Sequence, residues 1–277
     1  MERNAARIIS ASPVLEGAGV HLNRVFGFSE VELFDPFLLL DDFRSETPAH
    51  YLKGFPWHPH RGIETITYML QGDVEHGDSL GNSGTISSGD VQWMTAGSGI
   101  VHQEMPKGDE KGVMHGFQLW ANLPAAHKMT APRYQEIKAA QIPEINVDGA
   151  RIKVIAGRCE GARGPVSDIF TDPEYLDVTL PGNGRFQRRI PASHKVLLYT
   201  IGGSGATASA DVHNRQLALY GPGDEISVSA GPAGMRFLLL SGKPLGEPIA
   251  WRGPIVMNTE EELETALREY REGNFIK

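Results

Sequence analysis

A succession of short β-type runs separated by glycine-rich turns constrains the fold of this 277-residue chain more than any other feature. The 32 glycines and 18 prolines supply the turns, and such spacing is typical of a barrel or a sandwich. The predicted fold class is therefore all-β. The strands predicted from alternating or β-branched residues are Thr65–Leu70, Gly84–Ile86, Val91–Met94, Ile152–Ala156, Val196–Ile201 and Arg236–Leu240.

Helix signals are convincing only near the C-terminus. Thr259 can cap a helix, Glu262 completes a capping box, and Gly273 can end the helix. An apolar stripe at helical spacing consists of Leu263, Ala266, Leu267 and Tyr270. The sequence predicts a short C-terminal helix that docks its apolar face on the rest of the protein.

A faint internal duplication indicates two domains. Ser88–Gly97 parallels Pro222–Gly231, and the strand that ends at Gly72 parallels the one that ends at Gly202. A chain of this length is long enough for two ordinary domains. We expect two copies of one barrel, at residues 1–138 and 139–277, with the terminal helix in the second copy and a linker within 136–149.

Composition excludes several classes of protein. The single cysteine, Cys159, allows no intrachain disulfide, and Met1–Ser10 contains no apolar run of signal-peptide length. The apolar runs are too short to cross a bilayer, and a net charge of −8 disfavours direct binding to nucleic acid. We therefore expect a soluble, cytoplasmic protein with neither a membrane nor a nucleic acid as partner.

Two short pairs of residues carry side chains that bind metals, His58-x-His60 and His102-x-Glu104. Residues two apart in a strand project to the same side, so two neighbouring strands could direct all four side chains at one ion. Three imidazoles and one carboxylate suit Fe, Mn, Co, Ni, Cu or Zn, whereas Ca and Mg prefer more oxygen ligands.

Other residues compete for a place in this site. Glu64 has the strand parity of His58 and His60, so it could replace Glu104 or support the ligands. His76 and His115 lie in the same half of the chain and are weaker candidates. We expect the isolated histidines to be ordinary surface or core residues; these are His21, His50, His127, His194 and His213.

The duplication also predicts how many ions one chain binds. Transferring the intervals from Gly72 and Asp90 to the second copy gives Arg188, Ile190, Arg236 and Leu238 at the four ligand positions. None of these side chains is a plausible metal ligand. One ion per chain is therefore predicted, in the N-terminal half.

Five segments resemble the signature of the pirin family within the cupin superfamily. They are Phe55–Thr65, Asp90–Glu104, Gly116–Pro124 and, in the tail, Pro248–Ile249 with Met257–Glu261. The resemblance spans most of the chain and implies two cupin-type, jelly-roll β-barrels. It also implies a metal in the N-terminal barrel only, with Fe(II) as the usual occupant.

The ligands of that family carry over onto His58, His60, His102 and Glu104, all of which are present. Two residues depart from the family pattern: Ile63 stands where an aromatic residue is expected, and Ser98 where arginine is frequent. These departures bear on the preferred substrate and leave the predicted metal ligands intact.

The resemblance implies a quercetin 2,3-dioxygenase type of oxidoreductase, which uses O₂ to open the central ring of a flavonol and releases CO. Glu104 is the expected catalytic base. Trp93, Met94 and Phe117 could line the substrate cavity, and ordinary core packing is the alternative for each of them. The alternative function is a metal-dependent regulatory adaptor with a protein partner. A purely structural metal is disfavoured because the site contains no sulfur.

Overall fold

The computed structural model describes all residues from 1 to 277, and strands dominate it. The strands, in chain order, are β1 (Ala5–Ser10), β2 (Ser12–Glu16), β3 (Val20–Phe26), β4 (Phe37–Ser45), β5 (Phe55–His60), β6 (Ile63–Gln71), β7 (Asp73–Asp78), β8 (Ser83–Ile86), β9 (Val91–Thr95), β10 (Ile100–Gly108), β11 (Met114–Asn122), β12 (Arg133–Ile137), β13 (Glu144–Val147), β14 (Ala150–Ala156), β15 (Arg158–Cys159), β16 (Ala162–Arg163), β17 (Glu174–Leu180), β18 (Arg185–Arg189), β19 (Lys195–Thr207), β20 (Asp211–His213), β21 (Gln216–Tyr220), β22 (Glu225–Gly242), β23 (Ala250–Arg252) and β24 (Ile255–Met257). All six predicted runs fall within strands, so the all-β prediction is confirmed.

Helices are few and short. The α-helices are α1 (Val31–Phe34) and α2 (Glu260–Glu272), and the 3₁₀ turns are Phe28–Glu30, Pro48–His50, Ala125–His127 and Ala139–Gln141. Helix α2 is the predicted C-terminal helix, with Thr259 and Glu262 forming the capping box and Gly273 ending it at a φ of +76°. No helix combines the length and the apolar composition that crossing a membrane requires.

The chain divides into two compact units. The first unit contains Ser12–Ala139 together with Leu245–Lys277. Its larger sheet has seven strands in the order β12-β9-β6-β11-β4-β3-β2, and a second sheet has the order β5-β10-β7-β8. Every strand pair in these two sheets is antiparallel.

The second unit contains Met1–Ala11 and Ala140–Pro244. Its main sheet follows the order β1-β21-β19-β22-β17-β14-β13, with β18 beside β22 and β20 beside β19. Apolar side chains of these strands form one buried cluster that includes Val154, Leu176, Leu198 and Phe237. Arg188 and Arg236, which occupy two of the ligand-equivalent positions, make ion pairs with Glu174 and Asp177.

Each end of the chain belongs to the unit formed by the other half of the sequence, whereas the sequence analysis assigned each end to its own half. Strand β1 pairs with β21, so residues 1–11 belong with the C-terminal half. Helix α2 buries Leu263 and Ala266 in a cluster with Ile255 and Phe275 of the tail, and the whole tail belongs to the first unit. The expected division into 1–138 and 139–277 therefore differs from the compact units at both termini, although the unit boundary after Ala139 lies within the expected linker.

Candidate metal centre

Three histidines meet where β5 and β10 lie side by side. In this antiparallel pair His102 is directly opposite His58, and Ile100 is opposite His60. Directly opposite residues project to the same face, as do residues two apart, so the register brings the three imidazoles together. Their ligand atoms lie within 4.8 Å of one another, and the ring centroids are 4.5 to 5.0 Å apart. This cluster could hold one metal ion.

Backbone carbonyls orient two of the imidazoles. His58 Nδ1 lies 2.9 Å from the Pro56 carbonyl oxygen, and His60 Nδ1 lies 3.0 Å from that of Pro254. A proton donated from Nδ1 to a carbonyl leaves the lone pair on Nε2, which is the tautomer a metal ligand needs. Both ring nitrogens of buried His102 have no hydrogen-bond partner, which a bound metal would explain for one of them.

The environment favours neutral imidazoles. Burial lowers the pKa of His58, and burial together with its histidine neighbours lowers the pKa values of His60 and His102 well below the usual value. Metal binding requires a deprotonated imidazole nitrogen, so neutral rings are already in the binding form. The protonation state, the tautomers and the close spacing of these imidazoles all fit the binding of a transition metal.

Glu104 lies next to this cluster without belonging to the tight group of three. The pairing of β5 with β10 shifts register between His102 and Glu104, and Glu104 faces His76 of β7. Its carboxylate is buried and accepts a 3.1 Å hydrogen bond from Thr67 Oγ1. Burial raises the pKa of Glu104 to about 7, and the Thr67 hydrogen bond counteracts part of that rise.

Glu64 points away from the cavity that contains Glu104, contrary to its predicted parity with the histidines. Gly62 interrupts that parity because it turns the chain between β5 and β6 with a φ of +78°. A Cβ at Gly62 would lie 1.9 Å from the Val256 carbonyl oxygen, so only glycine fits there. Glu64 is three residues from cavity-lining Thr67, hence on the opposite face of β6, where it accepts a 2.7 Å hydrogen bond from Thr95.

The other histidines lie outside the group of three. His76 Nε2 is 3.1 Å from Glu136 Oε1, and His115 Nε2 is 3.8 Å from Asp42 Oδ1. His21 stacks on His50 with ring centroids 4.2 Å apart. His127 lies in a 3₁₀ turn, while His194 and His213 belong to the second unit.

A cavity of about 460 Å³ opens beside the cluster and is lined by His58, His60 and Glu104. Trp120 stands edge-on to the His60 ring at 5.1 Å, and Trp251 lies 5.8 Å from Trp120. The other apolar lining residues include Leu22, Leu39, Phe43 and Met114. The sequence analysis did not identify this aromatic wall. Trp120 lies two residues from cavity-lining Gln118 on β11, so it projects to the same face, and this spacing is the signal that could have identified it.

Of the two roles open to Trp93, Met94 and Phe117, the structure shows core packing and not lining of the cavity. None of the three lines the cavity, and their exposed fractions are 1%, 0% and 0%. Phe117 precedes cavity-lining Gln118 on β11 and therefore faces the other side of the sheet. Met94 is instead part of a buried core cluster with Leu38 and Ile63.

The C-terminal tail makes hydrogen bonds to residues at the end of β5, the strand that carries His58 and His60. Besides the Pro254 carbonyl on His60, buried Arg61 donates to Glu269 Oε2 and to the Phe275 carbonyl, each at 2.7 Å. The Arg61 guanidinium also stacks 4.2 Å from the Phe275 ring centroid. These contacts explain why the tail belongs with the first unit.

We expect Arg61→Met to lower the free energy of unfolding by about 2–4 kcal/mol, because it removes the hydrogen bond to the buried Phe275 carbonyl and leaves the half-buried Glu269 carboxylate with Lys277 as its remaining partner. Arg252→Met is the matched control, since Arg252 also pairs with a glutamate of α2, Glu260, but at the surface. It should cost less than about 1 kcal/mol. Urea unfolding of metal-free protein measures both; equal losses would contradict this account.

Comparison with known proteins gives a consistent picture. The family model described as Pirin matches residues 19–121, and the one described as Pirin C-terminal cupin domain matches residues 175–276. A Pseudomonas aeruginosa protein provisionally named a quercetin 2,3-dioxygenase is 45% identical, over 98% of this chain and 97% of its own length. A pirin-like protein of Caulobacter vibrioides is 44% identical, over 99% of both chains.

Solved structures show the same fold. The crystal structure of a quercetin 2,3-dioxygenase from Acinetobacter baumannii superimposes with a TM-score of 0.92 at 34% identity, covering 99% of each chain. The Escherichia coli pirin YhhW, solved in complex with nickel(II), has a TM-score of 0.66 at 22% identity, over 86% of this chain and 98% of its own. The latter similarity concerns the fold alone.

Proposed function

This chain belongs to the pirin family of cupin proteins, and on that premise we propose that its first unit is an iron-dependent dioxygenase that opens the central ring of a flavonol such as quercetin. The observation that carries the proposal is the cluster of three imidazoles, two of which, His58 and His60, line one aromatic-lined cavity together with the buried Glu104 carboxylate. The 34% identical A. baumannii protein, which is named a quercetin 2,3-dioxygenase, supports the substrate class.

The proposed ligands are His58, His60, His102 and Glu104. Fe(II) bound by these four would supply exchangeable positions for a substrate oxygen and for O₂, together with the one-electron chemistry that O₂ requires. Nitrogen and oxygen donors of this kind suit iron, although Mn, Co, Ni, Cu or Zn could occupy the same set. Iron is proposed because it fits both the donors and the reaction.

Glu104 is proposed to act as the general base for the 3-hydroxyl of the flavonol. A carboxylate that has moved that proton away leaves a phenolate, which is far more readily oxidised than the neutral phenol. The Thr67 hydroxyl lies 3.1 Å from one carboxylate oxygen of Glu104 and 2.7 Å from Gln118 Oε1, so these two acceptors share its one proton. This arrangement needs no further titratable group.

Apolar side chains prepare the cavity for a flat ring system. Trp120 and Trp251 form an aromatic wall beside His60, and Phe43 and Met114 extend the apolar lining. Such a lining binds aromatic surface and excludes water from the reacting atoms. The volume of about 460 Å³ suits a ligand of three rings.

Aerobic incubation of the iron-loaded protein with quercetin tests this function. We expect the flavonol to disappear with one O₂ consumed and one CO released per molecule, measured by absorbance, an oxygen electrode and CO trapping. Metal-free protein is the control and should be inactive. Metal binding without turnover over a panel of flavonols would contradict the proposal and leave the regulatory adaptor as the alternative.

A further inference from the structure

A row of polar side chains crosses the floor of the cavity, one on each of four adjacent strands. Thr67 on β6 is directly opposite Gln118 on β11, which is opposite Asp41 on β4, which is opposite Arg24 on β3. Directly opposite residues share a face of the sheet, and all four line the same cavity. Three strand spacings make the row about 14 Å long.

The cavity-lining side chains that flank this row on the same face are apolar. Leu39 and Trp120 lie on one side, and Phe43 with Leu22 on the other, each two residues along its strand from a member of the row. A barrel interior that served only stability would continue the apolar pattern across the row. Instead, a polar strip runs between two apolar strips, which matches a flat aromatic ligand that carries hydroxyl groups.

The hydrogen bonds divide the row into two ends. At one end Thr67 Oγ1 contacts Glu104 at 3.1 Å and Gln118 Oε1 at 2.7 Å. At the other end Arg24 binds both oxygens of Asp41, at 2.9 and 2.8 Å, and donates to Glu16 at 2.7 Å. The Thr67 end therefore belongs to the proposed metal centre, and the Arg24 end lies three strands away from it.

We propose that Asp41 and Arg24 determine substrate specificity by binding the hydroxyl groups of the ligand ring that lies remote from the metal centre. The inference rests on the proposed function, which supplies an aromatic ligand bound at the metal end. Two neighbouring hydroxyls on that ring would suit the pair, because one can donate to the Asp41 carboxylate while the other accepts from the Arg24 guanidinium. Gln118 would contact the middle of the ligand.

The charge at the Arg24 end selects neutral hydroxyl groups. Asp41 and Glu16 together place two carboxylates around one guanidinium. Burial raises the pKa of Asp41 to about 6, and Arg24 opposes that rise, so the carboxyl is mostly ionised and accepts hydrogen bonds at neutral pH. An anionic group on the remote ring would be repelled by the excess negative charge, so carboxylated or sulfated ligands should bind poorly.

Binding under anaerobic conditions tests the inference without depending on turnover. Trp120 and Trp251 line the cavity, so quenching of tryptophan fluorescence by an added flavonol reports occupancy. The two probes are quercetin, with two neighbouring hydroxyls on its pendant ring, and the otherwise identical flavonol with none there. We expect the metal-loaded protein to bind quercetin about tenfold to a hundredfold more tightly.

Two variants separate recognition from folding. Arg24→Met combined with Asp41→Leu replaces the ion pair by apolar groups, a change that proteins often tolerate, and Asp41→Asn keeps the shape and removes the charge. We expect both to reduce the preference for quercetin by at least tenfold while leaving the affinity for the second flavonol within about threefold.

The matched control is Arg236→Met with Asp177→Leu, a pair of the same bidentate geometry in the second unit, which should leave the preference unchanged.

The possible results are distinct. Loss of the preference in either folded variant, with the control unchanged, supports the inference. Equal affinities of the unmodified protein for the two flavonols, or a preference that survives in both variants, overturns the inference while CO release could still support the dioxygenase. If the unmodified protein binds neither flavonol, the proposed function fails and this inference fails with it.

Discussion

His102→Ala should lose its metal, with an affinity more than a hundredfold lower than that of the unmodified protein. The side chain is 1% exposed and lies opposite His58, within the group whose ligand atoms are 4.8 Å apart or less. Mutation of a residue that only hydrogen-bonds to a metal ligand typically lowers metal affinity tenfold to a hundredfold, and we expect removal of a ligand itself to lower it further. Metal analysis after dialysis against a weak chelator measures the loss.

His115→Ala is the control for this prediction. His115 lies in the same unit and was a competing candidate from the sequence, but it is outside the group of three. Its variant should retain a full equivalent of metal. Retention of metal by His102→Ala, or an equal loss in both variants, would contradict the proposed ligand set.

The histidine cluster could be predicted from sequence because it depends on local geometry. Spacing of two within a strand fixes the relative direction of His58 and His60 whatever the rest of the fold does. The pairing of β5 with β10, which adds His102, was a reasonable inference from two motifs at strand edges. The register of that pairing, with its shift before Glu104, could not be derived because it depends on contacts distant in the sequence.

The choice between Glu64 and Glu104 shows where parity arguments fail. Parity counts hold only inside one uninterrupted strand, and β5 ends at His60, before the turn at Gly62 that precedes Glu64 of β6. The reason for the turn at Gly62 is the close approach of Val256, a residue nearly two hundred positions later. No local pattern reveals that contact, so the sequence left both carboxylates open.

The exchanged termini have the same origin. Helix α2 was predicted correctly from its caps, but caps state where a helix begins and ends and say nothing about where it docks. Its position follows from the ion pair of Arg61 with Glu269 and from the burial of Phe275, both of which are tertiary contacts. The lining of the cavity was left open for a related reason, because apolar residues such as Phe117 fit either face of a sheet buried on both sides.

Glu104→Gln should reduce quercetin turnover by about a hundredfold to ten thousandfold, the contribution typical of a general base. An amide cannot take up the proton of the flavonol 3-hydroxyl, although it preserves the shape of the side chain and can still accept the Thr67 hydrogen bond. The three imidazoles remain and the amide oxygen can still act as a donor, so we expect metal to bind, with lower affinity than in the unmodified protein, and the flavonol still to bind. Initial rates of CO release at matched metal content measure the effect.

Glu64→Gln is the matched control, because Glu64 is also a buried glutamate that accepts a hydrogen bond from a threonine. It differs from Glu104 in facing away from the cavity, as the position of Thr67 on the same strand requires. Its variant should keep the turnover rate within about threefold, well under the effect of losing a general base. Full turnover in Glu104→Gln would show that Glu104 is not the base. An equal loss of turnover in both variants would show that the effect is not specific to the carboxylate in the cavity, and it would also contradict the proposal.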